Sequence, residues 1–388
     1  MSRFEALDYY GLEELLTEEE RLVRDTARAF VTDRVLPIIE AHNRAGTFPM
    51  ELIPVLAELG FLGANVQGYG CAGLGPVAYG LILQELERGD SGLRSFVSVQ
   101  GSLVMFPIRE FGSEEQRSRW LPRLARGEAI GCFGLSEPDF GSNPAGMRTR
   151  AVRRGEAWVL NGTKMWITNG AIADVALVWA KGDDGIQGFL VEKGTRGFTA
   201  RDVPPKFSLR ASVTSELVFE DCEVPDTCRL PGTRGLRAAL ECLNQARYGI
   251  AWGAVGSALA VYDEALRHAR TRVQFGKPIA AFQLVQRKLV WMVQEITKAQ
   301  LLCWRLGRLK EAGRARPAQV SLAKRNNVAM ALRAARTARD ILGAGGITDE
   351  FQTGRHLCNL ESVSTYEGTH DIHTLILGED ITGFPAFT

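Results

Sequence analysis

Trp158-Val-Leu-Asn-Gly-Thr-Lys-Met-Trp-Ile-Thr168 is the stretch on which the reading of the fold turns. An extended apolar run, Trp158-Val159-Leu160, meets Asn161-Gly162, a strong turn signal, and Thr163 to Thr168 then continues as strand. Val175 to Ala180, Gly188 to Val191 and Ser215 to Phe219 are further short extended runs, with polar, glycine- or proline-containing segments between them. No long helical pattern interrupts the series, so the middle of the chain predicts a small antiparallel sandwich or barrel.

On both sides of that stretch the hydrophobic period changes to that of helices. Thr17 and Glu20 form a candidate capping box, followed by Leu22, Val23, Ala27, Phe30, Val31 and Val35 at helical spacing, with Pro37 marking an end or kink. Further helices are predicted over about Met50 to Leu59, Val77 to Leu86, Ser98 to Phe111 (with Pro107 as a local cost) and Glu114 to Ala125, and the segment from Gly63 to Gly75 reads as a loop. Beyond Gly235, Leu240 to Arg270, Phe282 to Gly313 and Pro317 to Leu342 are dominated by strong helix formers and read as an antiparallel bundle. The expected fold class is therefore α+β and multidomain: an N-terminal helical domain over 1–130, a β domain over 131–234 and a C-terminal helical bundle over 235–388, with no βαβ series.

The 388 residues include 46 Lys plus Arg against 45 Asp plus Glu, which argues against a broad nucleic-acid-binding surface. Apolar residues at 45% suffice for a large core. The uncharged run Tyr248 to Tyr262 is shorter than a membrane span and reads as a buried helix. Cys71, Cys132, Cys222, Cys228, Cys242, Cys303 and Cys358 are scattered, odd in number and without a CxxC, which predicts reduced thiols. With no targeting pattern at the start, the expected location is cytoplasmic and no membrane insertion is expected.

Several constellations can carry chemistry. Cys132-Phe-Gly-Leu-Ser-Glu-Pro-Asp-Phe-Gly-Ser142 offers hydroxyl and amide donors on a closely approachable loop, or is an ordinary interdomain connection. Leu342-Gly-Ala-Gly-Gly346 lets a phosphate or adenosine group approach backbone, but no strand precedes it, and a helix C-cap explains one of its glycines. In Tyr366-Glu-Gly-Thr-His-Asp-Ile-His373, Glu367 is a candidate base; the two histidines are too few for a metal site, so none is expected. Arg94, among small residues, suits a carboxylate or a salt bridge, and Arg270 to Lys277 is a basic cluster for phosphate, a second subunit or solvent.

In this order and spacing, the motifs resemble the acyl-CoA dehydrogenase family across nearly the whole chain. Within it the resemblance is greatest to the glutaryl-CoA branch, through Glu85 to Ser95, Ser98 to Gln100, Leu243 to Trp252, Tyr366 to His373 and the tail Asp380 to Thr388. The resemblance implies FAD as cofactor, an acyl-CoA thioester (glutaryl-CoA) as substrate, an electron-transfer flavoprotein as partner and a homotetramer. It implies flavin contacts from Phe133, Leu135, Ser136, Gly141, Ser142, Trp166, Ile167, Thr168 and Thr369. Arg272 and Gln283 would reach the cofactor of a neighbouring subunit, Asp340, Leu342, Gly343 and Ala344 would line its adenosine diphosphate portion, and Phe275 would also bind cofactor. Ser142 and the Leu243 to Ile250 stretch, particularly Asn244 and Arg247, would meet the CoA portion, and Arg94, with Ser95, Glu87 and Tyr366, the distal carboxylate. Glu367 would remove the α-proton, and dehydrogenation would be followed by decarboxylation to crotonyl-CoA. Leu93, Arg88, Gly101, Phe96, Val97 and Gly343-Ala-Gly-Gly346 depart from the residues usual in that branch. The alternatives are a dehydrogenase of another short-chain or dicarboxylyl thioester, or a silent flavoprotein or nucleic-acid-binding member of the fold.

Overall fold

The computed structural model describes residues 4–203 and 205–387. Its N-terminal helices are α1 (Glu18–Phe30), α2 (Leu36–Ala45), α3 (Ile53–Glu58), α4 (Pro76–Gly89), α5 (Ser91–Ser98), α6 (Phe106–Phe111) and α7 (Glu114–Ala125). The Thr17 hydroxyl accepts from the Glu20 amide at 3.2 Å and the Glu20 carboxylate from the Thr17 amide at 2.8 Å, the reciprocal cap the sequence predicts. Pro37 does not end the first helix. A π-helical turn over Val31–Val35 absorbs one extra residue and places Pro37 in the first turn of α2, where a missing N–H costs little. Pro107 is accommodated in the same way, after the π-helical Val99–Met105. The helix expected to begin at Ser98 begins at Ser91, because the Asp90 carboxylate caps it by accepting from the Gly92 amide at 2.7 Å.

The middle strands are β1 (Gly131–Gly134), β2 (Arg150–Arg154), β3 (Ala157–Thr168), β4 (Val175–Gly182), β5 (Gly185–Glu192), β6 (Phe198–Asp202) and β7 (Thr214–Pro225). They form one sheet in the order β1-β4-β2-β3-β7-β6, with β5 also paired to β4. Most pairs are antiparallel; β1 runs parallel to β4. The predicted turn at Asn161-Gly162 is instead a bulge inside the continuous β3, where the register to β7 shifts between Leu160 and Gly162. Gly162 has φ 147°, and a Cβ there would stand 2.4 Å from the Thr149 hydroxyl, so the dipeptide serves a bulge rather than a hairpin.

The chain then returns to helices: α8 (Arg237–Thr271), α9 (Gln283–Glu311), α10 (Pro317–Ile341), α11 (Thr353–Thr365) and α12 (His370–Thr382). The helical–β–helical α+β architecture is the one expected. The uncharged run in α8 is buried throughout, packed against α4 and α10. None of the helices among the described residues is long and apolar enough to cross a membrane. All seven cysteines are free thiols.

Helix α4 is buried along its length although it carries Glu85, Glu87 and Arg88. Each charge has a partner: Glu85 bonds Arg28 at 2.8 Å and Arg88 at 2.7 Å, and Glu87 bonds Arg94 at 2.6 Å. Gly253 of α8 makes room for the last pair, since a Cβ there would lie 2.0 Å from the Glu87 carboxylate and 3.1 Å from Arg94 Nε. Gly253→Ala is therefore expected to destabilise the fold by about 1–3 kcal/mol, as overpacking does. A denaturant melt checks this, and an unchanged midpoint would show that the pair can move aside.

Candidate active site

Helix α11 ends at Thr365 and α12 begins at His370, capped by Thr369, whose hydroxyl accepts from the Ile372 amide at 3.2 Å. Tyr366, Glu367 and Gly368 cross the gap. Glu367 sits at φ 53° and Gly368 at φ 94°, and a non-glycine residue in the left-handed region persists only where its surroundings fix it. Arg247 Nε donates to the Glu367 carbonyl at 2.8 Å, and Lys324 Nζ donates to the Gly368 carbonyl at 2.6 Å and also to that of Tyr366. The Glu367 Oε2 atom is buried with no hydrogen-bond partner. Burial pushes this carboxyl above the usual carboxylate range, against the pull of Arg94, Lys324 and Arg247.

Arg94 and Glu87 are buried; Arg94 Nε donates to Glu87 at 2.6 Å and its terminal nitrogen to the Tyr366 hydroxyl. Ser95 Oγ lies 3.4 Å from the same hydroxyl. Ser95 and Tyr366 stand in the cavity wall, with the guanidinium behind them, 5.6 Å from the Tyr366 ring centroid. Glu87 already pairs Arg94, so a ligand without a carboxylate does not leave the guanidinium bare. Counted with every group ionised, the cations Arg94, Arg247 and Lys324 around the floor face the carboxylates Glu87 and Glu367, a formal excess of one positive charge.

The cavity measures about 1460 Å³. Phe133, Leu135, Ser136, Gly141 and Ser142 form one wall, and Trp166, Ile167 and Thr168, at the end of β3, the next. Trp166 has φ 65° and is 64% exposed, so its indole offers the cavity an open aromatic surface. Asn244 and Arg247 of α8, with Glu367 and Thr369, complete the set that the sequence singles out here. Leu243, from the stretch expected at the CoA portion, lines it too, and Val99, Leu103, Lys206 and Phe207 also line it and were not anticipated. Single drug-sized ligands occupy pockets of about 300–1,000 Å³, so this volume suits two ligands at once. Apart from Gly141 and its two chain neighbours, no atom of the described residues lies within 4 Å of where a Gly141 Cβ would stand, which leaves a face for a ring or chain to approach. Behind this wall, buried Lys164 bonds Glu137 at 2.8 Å, and Glu137 accepts the amides of Arg148 and Thr149, which holds the loop after β1 in place.

Other anticipated residues lie outside this cavity. Arg272 and Phe275 occupy the exposed connection between α8 and α9, with Phe275 93% exposed at φ 51°, and exposed Gln283 opens α9. Asp340, Gly343 and Ala344 are exposed at the end of α10, where Asp340 pairs with Lys288, and Leu342 is buried. No metal-ligating cluster occurs among the described residues. His373 is buried and held neutral, at about 3, by burial and by the charges of Lys324 and Arg247.

Lys324 gives little signal in the sequence. What marks it is helical spacing alone: it shares a buried stripe of α10 with Val320, Asn327 and Val328, where a solvent-facing lysine would not sit.

Models of the acyl-CoA dehydrogenase N-terminal, middle and C-terminal domains match residues 17–128, 132–222 and 233–382. The mitochondrial short-chain specific acyl-CoA dehydrogenase of Rattus norvegicus is 36% identical over 370 residues, 93% of this chain and 90% of that protein. An acyl-CoA dehydrogenase of Bacillus subtilis (strain 168) is 35% identical over 95% of this chain and 99% of its own length. Among solved structures, a glutaryl-CoA dehydrogenase from Mycobacterium smegmatis superposes with a TM-score of 0.98 at 56% identity over 100% of both chains. A second, in complex with FADH2, gives 0.97 at 54% identity over 98% of this chain and 99% of that one.

Proposed function

Because the chain belongs to the acyl-CoA dehydrogenase family, we propose that it is an FAD-dependent dehydrogenase of glutaryl-CoA, with Glu367 as the base. The observation that carries this reading is the unpartnered Glu367 oxygen, buried at the wall of a cavity that also holds Trp166, Thr168 and Ser142 and has room for two ligands. That orphaned oxygen, the open face at Gly141 and the exposed Trp166 indole all fit a flavin lying beside a thioester.

Glu367 takes the α-proton of the acyl thioester. Bound FAD supplies the acceptor for the β-hydrogen, which leaves with its bonding pair. A buried carboxylate is a stronger base than a solvated one, which suits so weak an acid as a thioester α-carbon. The Tyr366 N–H is given to the Ser362 carbonyl, so the backbone N–H groups of Glu367 and Gly368 are the ones available to the thioester oxygen as charge builds there, and exclusion of water strengthens such bonds. Ser142, Asn244 and Arg247 serve the CoA portion, Arg247 with only the guanidinium edge not given to the Glu367 carbonyl.

The excess positive charge at the floor favours a thioester that brings its own distal carboxylate. Arg94 would receive it with Ser95, Tyr366 and Glu87 around it. Loss of that carboxylate from the glutaconyl product as carbon dioxide leaves a delocalised dienolate, and its protonation gives crotonyl-CoA. An electron-transfer flavoprotein would serve as the electron acceptor of the reaction. Arg272, Phe275, Gln283, Asp340, Leu342, Gly343 and Ala344, outside the cavity of their own copy, are assigned to the cofactor of another copy in a homotetramer.

Anaerobic mixing with glutaryl-CoA, followed by flavin absorbance and product mass, tests the reading. Bleaching with formation of crotonyl-CoA is expected; a glutaconyl product would remove decarboxylation and leave the dehydrogenase. One observation favours a second substrate: Glu87 already neutralises Arg94, so a butyryl chain would face no bare charge. Bleaching by butyryl-CoA and none by glutaryl-CoA would decide for it.

A further inference from the structure

Three consecutive carbonyl oxygens, those of Tyr366, Glu367 and Gly368, are each caught by a buried cationic side chain. Arg247 takes the middle one, and Lys324, 1% exposed, takes both outer ones from the neighbouring helix α10. We infer that Lys324 is a positioning residue for the base: its ammonium, bonded to the carbonyls on either side of Glu367, fixes the left-handed backbone that turns this carboxyl into the cavity and supplies a positive charge beside it. The inference rests on the reading of Glu367 as the base.

The energetics point to a structural demand beyond packing. A lysine head group taken out of water loses several kcal/mol of solvation, so a buried one is retained where it is paired and fully bonded. The ammonium carries three hydrogens, of which two are engaged by the outer carbonyls. A left-handed non-glycine residue costs about 1–3 kcal/mol, which these bonds offset. Burial draws the Lys324 ammonium down to about 7, and the Glu367 carboxylate opposes that fall. The other groups facing Glu367 are Arg94 on α5, Arg247 on α8, Tyr366 within the same segment, and Tyr79 on α4. His373 on α12 is held neutral. Of these, Lys324 alone touches the segment on both sides of the base.

The sign of the charge effect follows directly. A cation beside a carboxyl lowers its pKa, so removing the cation raises it, and the deprotonated base then appears only at higher pH.

The test uses the holoenzyme with Lys324→Met and Lys324→Ala. Acetyl-CoA in D2O serves as a probe because it has an α-carbon and no β-carbon, so deuterium uptake reports the base without any redox step. For Lys324→Met, α-exchange and kcat with glutaryl-CoA are expected to fall by about 100-fold, the cost of misplacing a catalytic group by about 1 Å. KM and the visible flavin spectrum should stay near wild type, and the acidic limb of the exchange profile should move up by about one pH unit. Methylammonium added to Lys324→Ala should restore exchange at least several-fold. Exchange within threefold of wild type overturns the inference, as does a loss of kcat that merely follows loss of bound flavin with the acidic limb unmoved. A wild-type enzyme that exchanges no α-proton overturns the reading of Glu367 as well, whereas normal wild-type exchange matched by Lys324→Met removes Lys324 alone.

Discussion

Replacing Glu367 by glutamine is expected to slow anaerobic bleaching by glutaryl-CoA by about 10³–10⁴-fold, near the upper end of what a positioned general base contributes. The amide keeps the size and backbone of the residue, so the bonds from Arg247 and Lys324 to the surrounding carbonyls have no reason to change. Flavin content and thioester binding should therefore survive, and only proton removal should fail. In the wild type the base works as the carboxylate, so activity rises with pH through its pKa. Burial lifts that pKa, which places the acidic limb above the ordinary carboxylate range. Glu367→Gln should lose this limb together with the rate. Stopped-flow absorbance across pH measures both, and a variant that still bleaches within tenfold of wild type would assign proton removal to another group.

The base and its neighbourhood were legible in the sequence to unequal degrees, for physical reasons. Periodicity revealed the long helices because each buries one face for many turns, and the uncharged run Tyr248 to Tyr262 revealed the central one because it is buried on every side. Residues of the first and middle thirds that the resemblance brought together, such as Ser95 and Thr168, share one cavity with Glu367. Periodicity failed where the backbone inserts a residue. The π-helical turns before Pro37 and Pro107, and the bulge at Gly162, depend on contacts with Thr149 and with other helices that no local window contains. Lys324 was missed for a related reason. Its partners are carbonyl oxygens 42 and 44 residues away, and a carbonyl has no identity in a sequence. Arg94 was recognised, but its existing bond to Glu87 was not, and that bond governs how it can be tested.

Arg94→Ala on its own would mix two effects. It removes the proposed partner of the distal carboxylate, and it also leaves Glu87, fully buried, without its counter-ion. Breaking a buried pair in this way costs about 3–5 kcal/mol, enough to unfold a marginal protein or force Glu87 to take up a proton. The double variant Glu87→Gln with Arg94→Gln avoids this, since both charges leave together and the floor keeps the same formal charge. If the guanidinium receives the substrate carboxylate, kcat/KM for glutaryl-CoA should fall by about 10²–10³-fold, the scale for losing a buried charge partner, while butyryl-CoA changes by less than about tenfold. Arg94→Lys should recover little, because a point charge cannot serve Glu87, Tyr366 and a ligand carboxylate through one planar fork. The same comparison separates recognition from electrostatic support of the base. Arg94 lowers the Glu367 pKa, so a guanidinium that acted only through Glu367 would slow both thioesters equally and move the acidic limb upward for each. Equal losses on glutaryl-CoA and butyryl-CoA would thus withdraw the dicarboxylate preference and leave α-proton removal intact.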